Sequence, residues 1–372
     1  MPGKLRILAW PLWLGILAFP FAGPAGAAII TAILLAAVLL GMFLFKPLAA
    51  RIKVAAPDFQ KLPARAKLIT KAVLLALLLA LPFLLNRYFL DVAITTGIYI
   101  ALALGLNIIV GLAGLLVLGY IAFYAAGAYS YALLGTHYHL SFFLALPAAA
   151  LLAMVFGLVL GLPTLRLRGD YLAIVTLGFG EIVRIVLNNW DRLTGGPNGI
   201  MHVPKPALFG LALSRPVHLF YIVFGLCLLV ALLIDRLNHS RLGRALIAMR
   251  EDEAAARSCG VDTVRLKLLA FMLSAAVAGA MGVMFAAKMS FVSPESFTFW
   301  ESIMVLCMVV LGGMASIPGA VLGAAALIVL PEAFRQLANY RMLLFGASMV
   351  AMMIFRPQGL WPSRRRRMEL AE

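Results

Sequence analysis

Apolar runs long enough to cross a bilayer recur from one end of this 372-residue chain to the other, at 7–22, 27–45, 69–86, 91–110, 113–134, 141–164, 171–187, 217–237, 266–287, 299–313, 317–331 and 342–356. A helix needs about 20 apolar residues to span the hydrocarbon core. Inside that core every backbone polar group must be satisfied, which leaves helices and closed barrels. A barrel would show ten-residue segments of alternating hydropathy, and none is present. The predicted fold class is therefore all-α: a polytopic integral membrane helix bundle of about 10–12 spans. The runs 299–313 and 317–331 are short and separated by Gly312, Gly313, Pro318 and Gly319, so they are read as broken or re-entrant helices.

Charge distribution orients the bundle. Only 12% of the chain is charged, against 64% hydrophobic residues, yet 31 Lys and Arg oppose 15 Asp and Glu, a net +16. In a soluble protein that excess would suggest nucleic acid. Here the cations sit in short loops, so the positive-inside rule is the better account and no nucleic-acid partner is expected. Lys46 to Lys71, Arg236 to Lys267, and the tail with Arg356 and Arg364 to Arg367 form three basic clusters. The parity of the twelve runs puts all three on one face, with Arg166 and Arg168, and the positive-inside rule assigns that face to the cytoplasm. The expected organisation is an N-terminal two-helix extension with a basic loop (1–65), a core (66–356) carrying a cytoplasmic loop at 236–267, and a basic cytoplasmic tail (357–372). Lys4, Arg6 and the Ala25–Gly26–Ala27–Ala28 stretch resemble a secretory signal. Gly23, Pro24 and Gly26 followed at once by another apolar run favour an uncleaved first hairpin.

One run carries ionisable groups in its interior. The 17 residues from Tyr171 to Leu187 form a helix of about 26 Å. Thr176, Glu181, Arg184 and, at its end, Asn188 are its polar positions. A carboxylate near the middle of such a helix costs roughly 2.5–3.5 kcal/mol, which something must offset. Glu181 either pairs with Arg184 one turn away as a brace, or lines a path and meets what passes through it. A glycine-rich polar loop follows, Thr194–Gly195–Gly196–Pro197–Asn198–Gly199, on the side opposite the basic clusters.

The loop from Asp235 to Lys267 is the second unusual segment. Leu242, Leu246 and Met249 recur at helical spacing, Arg250, Glu251, Asp252 and Glu253 crowd together, Glu253 stands four residues before Arg257, and Gly260 is placed to end a helix. This is either an amphipathic connector on the membrane surface or a docking helix for a cytoplasmic partner. Three acids among the cations favour docking over lipid. Glycines are dense at Gly97–Gly119 and Gly312–Gly323, which suits close helix packing or a smooth pore wall. The runs GLAGLLVLG (Gly111–Gly119) and LGGMASIPG (Leu311–Gly319) resemble each other as relics of an internal repeat.

No Walker A, HExxH, CxxC or GxSxG motif occurs, so neither a nucleotide site nor a hydrolytic centre is written here. Cys227, Cys259 and Cys307 lie far apart, and His137 and His139 are read as interfacial, so no metal or resident cofactor is expected.

The segments GLAGLLVLG (Gly111–Gly119), RLRGDYLAIVTLGFGEIVRI (Arg166–Ile185), TGGPNGI (Thr194–Ile200), Leu242–Gly260, FVSPESFTF (Phe291–Phe299) and RPQGL (Arg356–Leu360) resemble the LivM-type permeases of bacterial branched-chain amino acid ABC importers. The resemblance covers most of the chain. It implies a permease that is not itself an enzyme. Its implied partners are a LivH-like sister permease, two cytoplasmic ATP-binding subunits that carry the ATP and Mg, a periplasmic amino-acid-binding protein and membrane lipid. It implies that Arg250, Glu251, Asp252, Glu253, Arg257 and Gly260 couple to the ATPase, and that Thr194, Gly195, Gly196, Asn198 and Gly199 form the periplasmic docking loop. Four residues separate Glu253–Ala254–Ala255 from Gly260, where the common importer pattern has three. The expected cargo is leucine, isoleucine and valine. Urea or a short amide is the same-family alternative, and an ion-coupled secondary transporter the competing class.

Overall fold

The computed structural model of the chain describes residues 79–83, 85–165, 167, 169–208, 211–213, 215–333, 346, 350 and 359–361. The expected runs 7–22 and 27–45, most of 69–86 and 342–356, Arg166, Arg168, the 46–71 basic loop and Arg364–Arg367 lie outside the described residues.

Besides a one-turn helix at Asp191–Thr194, ten α-helices organise what is described: α1 (Arg87–Asn107), α2 (Ile121–His137), α3 (Phe142–Thr164), α4 (Asp170–Asn189), α5 (Pro216–His239), α6 (Arg241–Glu251), α7 (Glu253–Ser258), α8 (Thr263–Met289), α9 (Phe299–Gly312) and α10 (Ile317–Ala333). Among the described residues the strands are two-residue pieces in two antiparallel pairs, β1 (Ile200–Met201) with β4 (Phe291–Val292) and β2 (Ala207–Leu208) with β3 (Leu211–Ala212). Five helical segments among them are long and apolar enough to cross a membrane: Arg87–Leu112, Phe142–Thr164, Pro216–His239, Thr263–Met289 and Pro294–Gly312. The helix bundle predicted from the apolar runs is therefore the observed fold.

The central element is α8, which packs along α1, α2 and α3. Its buried face is made of small residues, Ser274, Ala275, Ala278, Gly279 and Gly282 among them. In lipid no hydrophobic force drives helices together, so close backbone approach and dispersion must do it. Gly127 of α2 shows how close: a Cβ there would stand 2.1 Å from the carbonyl oxygen of Gly279. The glycine-dense stretch Gly312–Gly323 packs as closely, a Cβ at Gly312 standing 2.1 Å from Gly319 O. α3 has the same inside-out pattern. Ala145, Ala149, Ala153 and Gly157, four apart, are buried, while Leu144, Leu151, Val155 and Val159 point outward. Large apolar side chains on the outside and small ones inside are the arrangement of a helix bathed in hydrocarbon.

One expected span is corrected. The run 113–134 is not one helix. α1 ends in a π-helical turn, Ile108–Leu112, and residues 114–120 have no regular helix before α2 starts at Ile121. Gly114, at φ +70°, turns the chain out of the helix. The expected break between 299–313 and 317–331 is present at Gly313–Ser316, where Gly313 has φ +119°. The two stretches read as repeat relics thus contain the two chain breaks, and they approach closely: a Cβ at Gly111 would stand 2.6 Å from Ala315 N.

Candidate functional site

Non-helical backbone at membrane depth persists only where protein buries it or it lines a cavity. The break at 113–120 and its exit into α2 are held by contacts with three other helices. Leu118 N donates to Thr176 Oγ1 on α4 at 3.0 Å, Ile121 N to Ser302 Oγ on α9 at 3.1 Å, and Tyr120 Oη to the Ser274 carbonyl on α8 at 3.4 Å. Ser274 Oγ in turn donates to Gly105 O on α1 at 2.7 Å. The Leu118 and Ile121 bonds replace backbone bonds that a continuous helix would have made within itself. Gly119 lies so close to α4 that a Cβ would stand 1.8 Å from Thr176 O. Of the polar positions read in the 171–187 run, Thr176 is thus a fully buried partner of the break.

Glu181 and Arg184 do form an ion pair, with Oε2 to Nε at 2.9 Å. The pair sits near the middle of α4, one residue beyond Gly180, which packs against Gly119. The two side chains keep 32% and 30% of their surface. α4 buries only Leu172, Ala173, Thr176 and Gly180, leaving Ile174, Ile182, Ile185 and Val186 exposed beside the ion pair. A part-exposed ion pair at this depth is costly against hydrocarbon, so this face suits a protein partner or a hydrated path. Asn188 lies at the last turn of α4, half-buried, with its carbonyl beside Gly196.

The Thr194–Gly199 loop is a rigid joint with an exposed tip. Thr194 Oγ1 donates to Leu187 O at 2.6 Å and to Trp190 O at 2.9 Å, capping the end of α4. Gly195, Gly196 and Gly199 all have positive φ, which side chains other than glycine rarely adopt. At Gly199 a Cβ would also lie 2.1 Å from Val292 O, because β1 pairs there with β4. The TGGPNGI and FVSPESFTF segments, remote in sequence, are therefore one structural unit. Pro197 and Asn198 project from it and are exposed.

At the opposite end of α8, the predicted docking helix is two helices meeting at Asp252. Ser240 caps α6, its Oγ accepting from Gly243 N at 3.1 Å. Asp252 caps α7, accepting from Ala254 N at 2.8 Å and Ala255 N at 3.0 Å. Of the predicted stripe, Leu246 and Met249 are buried and Leu242, in the first turn of α6, is exposed. Gly260 ends α7 at φ +81° in a Schellman motif, with its N–H on Arg257 O at 3.0 Å and Val261 N on Ala256 O at 3.1 Å. The predicted Glu253–Arg257 pair forms at 3.0 Å. Glu253 also takes Lys267 of α8 at 2.9 Å. Arg250 turns inward: Nη1 donates to Gly111 O at 2.8 Å while its other donors hold Glu251. Glu251, Asp252, Ala254, Ala255, Arg257, Ser258 and Gly260 stay on the exposed surface.

Several polar contacts escaped the reading of the sequence. Asp91, Thr95 and Tyr99 form a four-residue-spaced stripe on α1. Lys288 of α8 reaches Asp91 Oδ2 at 3.0 Å, and Tyr99 Oη donates to Glu301 Oε2 of α9 at 2.5 Å. The spacing was the available signal; the partners come from other helices. Asn107, an isolated amide in an apolar run, was a signal of the same kind.

The family model for the "branched-chain amino acid transport system / permease component" matches residues 88–353. The high-affinity branched-chain amino acid transport system permease protein LivM of Escherichia coli K12 is 51% identical over 320 residues, covering 80% of this chain and 75% of the relative. The same-named protein of Salmonella typhimurium LT2 is 51% identical over the same coverage. The probable branched-chain amino acid transport permease protein LivM of Methanocaldococcus jannaschii is 28% identical over 236 residues, 59% of this chain and 68% of the relative. No solved structure matches.

Proposed function

The chain belongs to the family of branched-chain amino acid transport permeases, and on that premise we propose that it carries leucine, isoleucine and valine from periplasm to cytoplasm as one of two permease subunits in an ABC importer. The observation that carries the reading is the family match across 88–353, a range that contains both chain breaks, the ion pair and both terminal surfaces. It is a membrane permease, and the ATP-binding step belongs to separate subunits. A LivH-like sister permease, two cytoplasmic ATP-binding subunits and a periplasmic amino-acid-binding protein complete the machine.

Each surface then has a role. The Pro197–Asn198 tip, held by Thr194, Gly195, Gly196 and Gly199, faces the periplasm and meets the binding protein. The exposed side of α6–α7 faces the cytoplasm, where Glu251, Asp252, Arg257 and the small Ala254–Ala255 step seat in the ATP-binding subunits. The basic tail lies on the same cytoplasmic side of the inner membrane. ATP binding closes the ATPase pair, pushes on α6–α7 and opens the path outward; hydrolysis resets it. Such a shift requires that the loop make different contacts in the two states. The exposed face of α4, with Glu181 and Arg184, borders the path or the sister subunit.

The test is reconstitution in liposomes with all partner subunits. Uptake of radiolabelled leucine, isoleucine and valine is expected to require ATP and the binding protein, with urea not carried. Uptake that follows an ion gradient without the ATP-binding subunits refutes the reading. Glu181→Gln separates its two roles: normal assembly with lost uptake supports the path, and lost assembly supports the brace.

A further inference from the structure

Arg250 occupies the place where three parts of the molecule meet. Its guanidinium caps the C-terminal end of the α1 π turn through Gly111 O, at 2.8 Å. The last carbonyls of a helix lack intrahelical donors and carry the negative end of its dipole, so a cation there satisfies both. The aliphatic stem of Arg250 packs on Gly114, where a Cβ would stand 2.3 Å from Arg250 Cγ. On the other side of the same turn a Cβ at Gly111 would lie 2.6 Å from Ala315 N, which is bound to Asn107 Oδ1. The carbonyls of the second break are capped as well: Leu360 N and Trp361 N donate to Leu311 O and Gly312 O, both at 2.9 Å. A displacement of α6 therefore reaches both breaks through one side chain.

We propose that Arg250 is a positioning residue for transport, which transmits the motion of α6–α7 to the breaks at 113–120 and 313–316 so that they rearrange together. This rests on the reading that α6–α7 receives the ATP-binding subunits. The physical basis is a difference in stiffness. α1 and α8 have continuous backbone ladders and move as rods. Beyond Leu115, whose N–H still reaches Ile109 O, the chain is held at Leu118 by Thr176 and at Ile121 by Ser302, single side-chain bonds that open at lower cost than a ladder. A push on Gly111 and Gly114 is absorbed where the ladder is absent. The role differs from docking, because the guanidinium points into the permease.

The experiment uses the complete importer in nanodiscs, with Cys227, Cys259 and Cys307 replaced by Ser and one reporter at a time. Leu116→Cys, on an exposed position of the break, is labelled with a thiol reagent without nucleotide and with the ATPase trapped in its ATP-bound state. The expected result is a severalfold change in labelling rate between the two states. In Arg250→Met the change disappears and uptake per ATP falls about tenfold, the scale of one charge-assisted hydrogen bond, with the ATP-binding subunits still attached. Arg250→Lys, which keeps one donor, restores both in part. Equal labelling in the two states overturns the inference even if Arg250→Met fails to assemble. Loss of the ATP-binding subunits from an otherwise folded Arg250→Met also overturns it, making Arg250 a docking contact. Ala254→Cys reports the underlying reading separately: protection by the ATP-binding subunits upholds docking, and free labelling refutes it.

Discussion

Three neighbouring acids, Glu251, Asp252 and Glu253, look equivalent in sequence and stand in very different surroundings. Glu253 keeps 16% of its side-chain surface and holds Lys267, whose side chain is 5% exposed, at 2.9 Å. Glu253→Ala leaves that ammonium buried without this carboxylate, a change that costs about 3–5 kcal/mol for a buried pair. Glu251 is 56% exposed and among the described residues pairs with Arg250, so Glu251→Ala costs about 0–1 kcal/mol. Asp252→Ala removes the cap of α7, at about 1 kcal/mol. The order is Glu253 far above Asp252, and Asp252 above Glu251. Amide exchange of α7, followed by mass spectrometry on the full chain in nanodiscs, reads these as local opening energies. At 1.4 kcal/mol per tenfold, Glu253→Ala accelerates exchange across 253–258 by roughly a hundredfold or more. Equal acceleration in Glu253→Ala and Glu251→Ala would refute the reasoning, which assigns the larger cost to Glu253 for its burial against Lys267. One consequence concerns docking assays. A triple alanine substitution confounds loss of a contact with loss of the loop, and Glu251→Ala alone is the clean probe.

Three other outcomes are expected. Gly119→Ala drives a methyl into the Thr176 carbonyl and lowers folded yield and thermal stability, whereas Gly178→Ala, with nothing within 4 Å, leaves both unchanged. Thr176→Val orphans Leu118 N at a cost of about 1–3 kcal/mol, read as a lower unfolding midpoint with the helix content retained. Gly199→Ala, at φ +67° and against Val292 O, disrupts the β1–β4 joint and lowers stability, while Asn198→Ala at the exposed tip keeps stability and weakens binding-protein capture in a pull-down with the purified partner.

Much of the architecture could be read directly, because hydropathy is a local property and lipid imposes it on every span. The bundle, the ends of α3, α5 and α8 to within a few residues, the break near Gly313 and the Glu181–Arg184 and Glu253–Arg257 pairs follow from spacing along one helix. The run 113–134 misled for the same reason. Its residues are apolar enough for a helix, and what receives the unwound backbone is not in the run: Thr176 and Ser302, on two other helices, accept from Leu118 N and Ile121 N.

The amino-acid sequence by itself determined that this is a multi-pass membrane bundle with one charged helix, one mixed-charge loop and one glycine joint. Those are matters of composition and of intervals of three or four residues. Only the tertiary structure decided which side chains are surface and which are internal. Arg250 and Glu251 are adjacent in the chain, yet one reaches Gly111 and the other faces outward. Asn107 and Ala315 are 208 positions apart and share a hydrogen bond. An exposed contact and a buried one use the same residue types. The difference between them is set by which helices pack together, and that packing puts the first break against Arg250 and the second against Asn107 and Gly111.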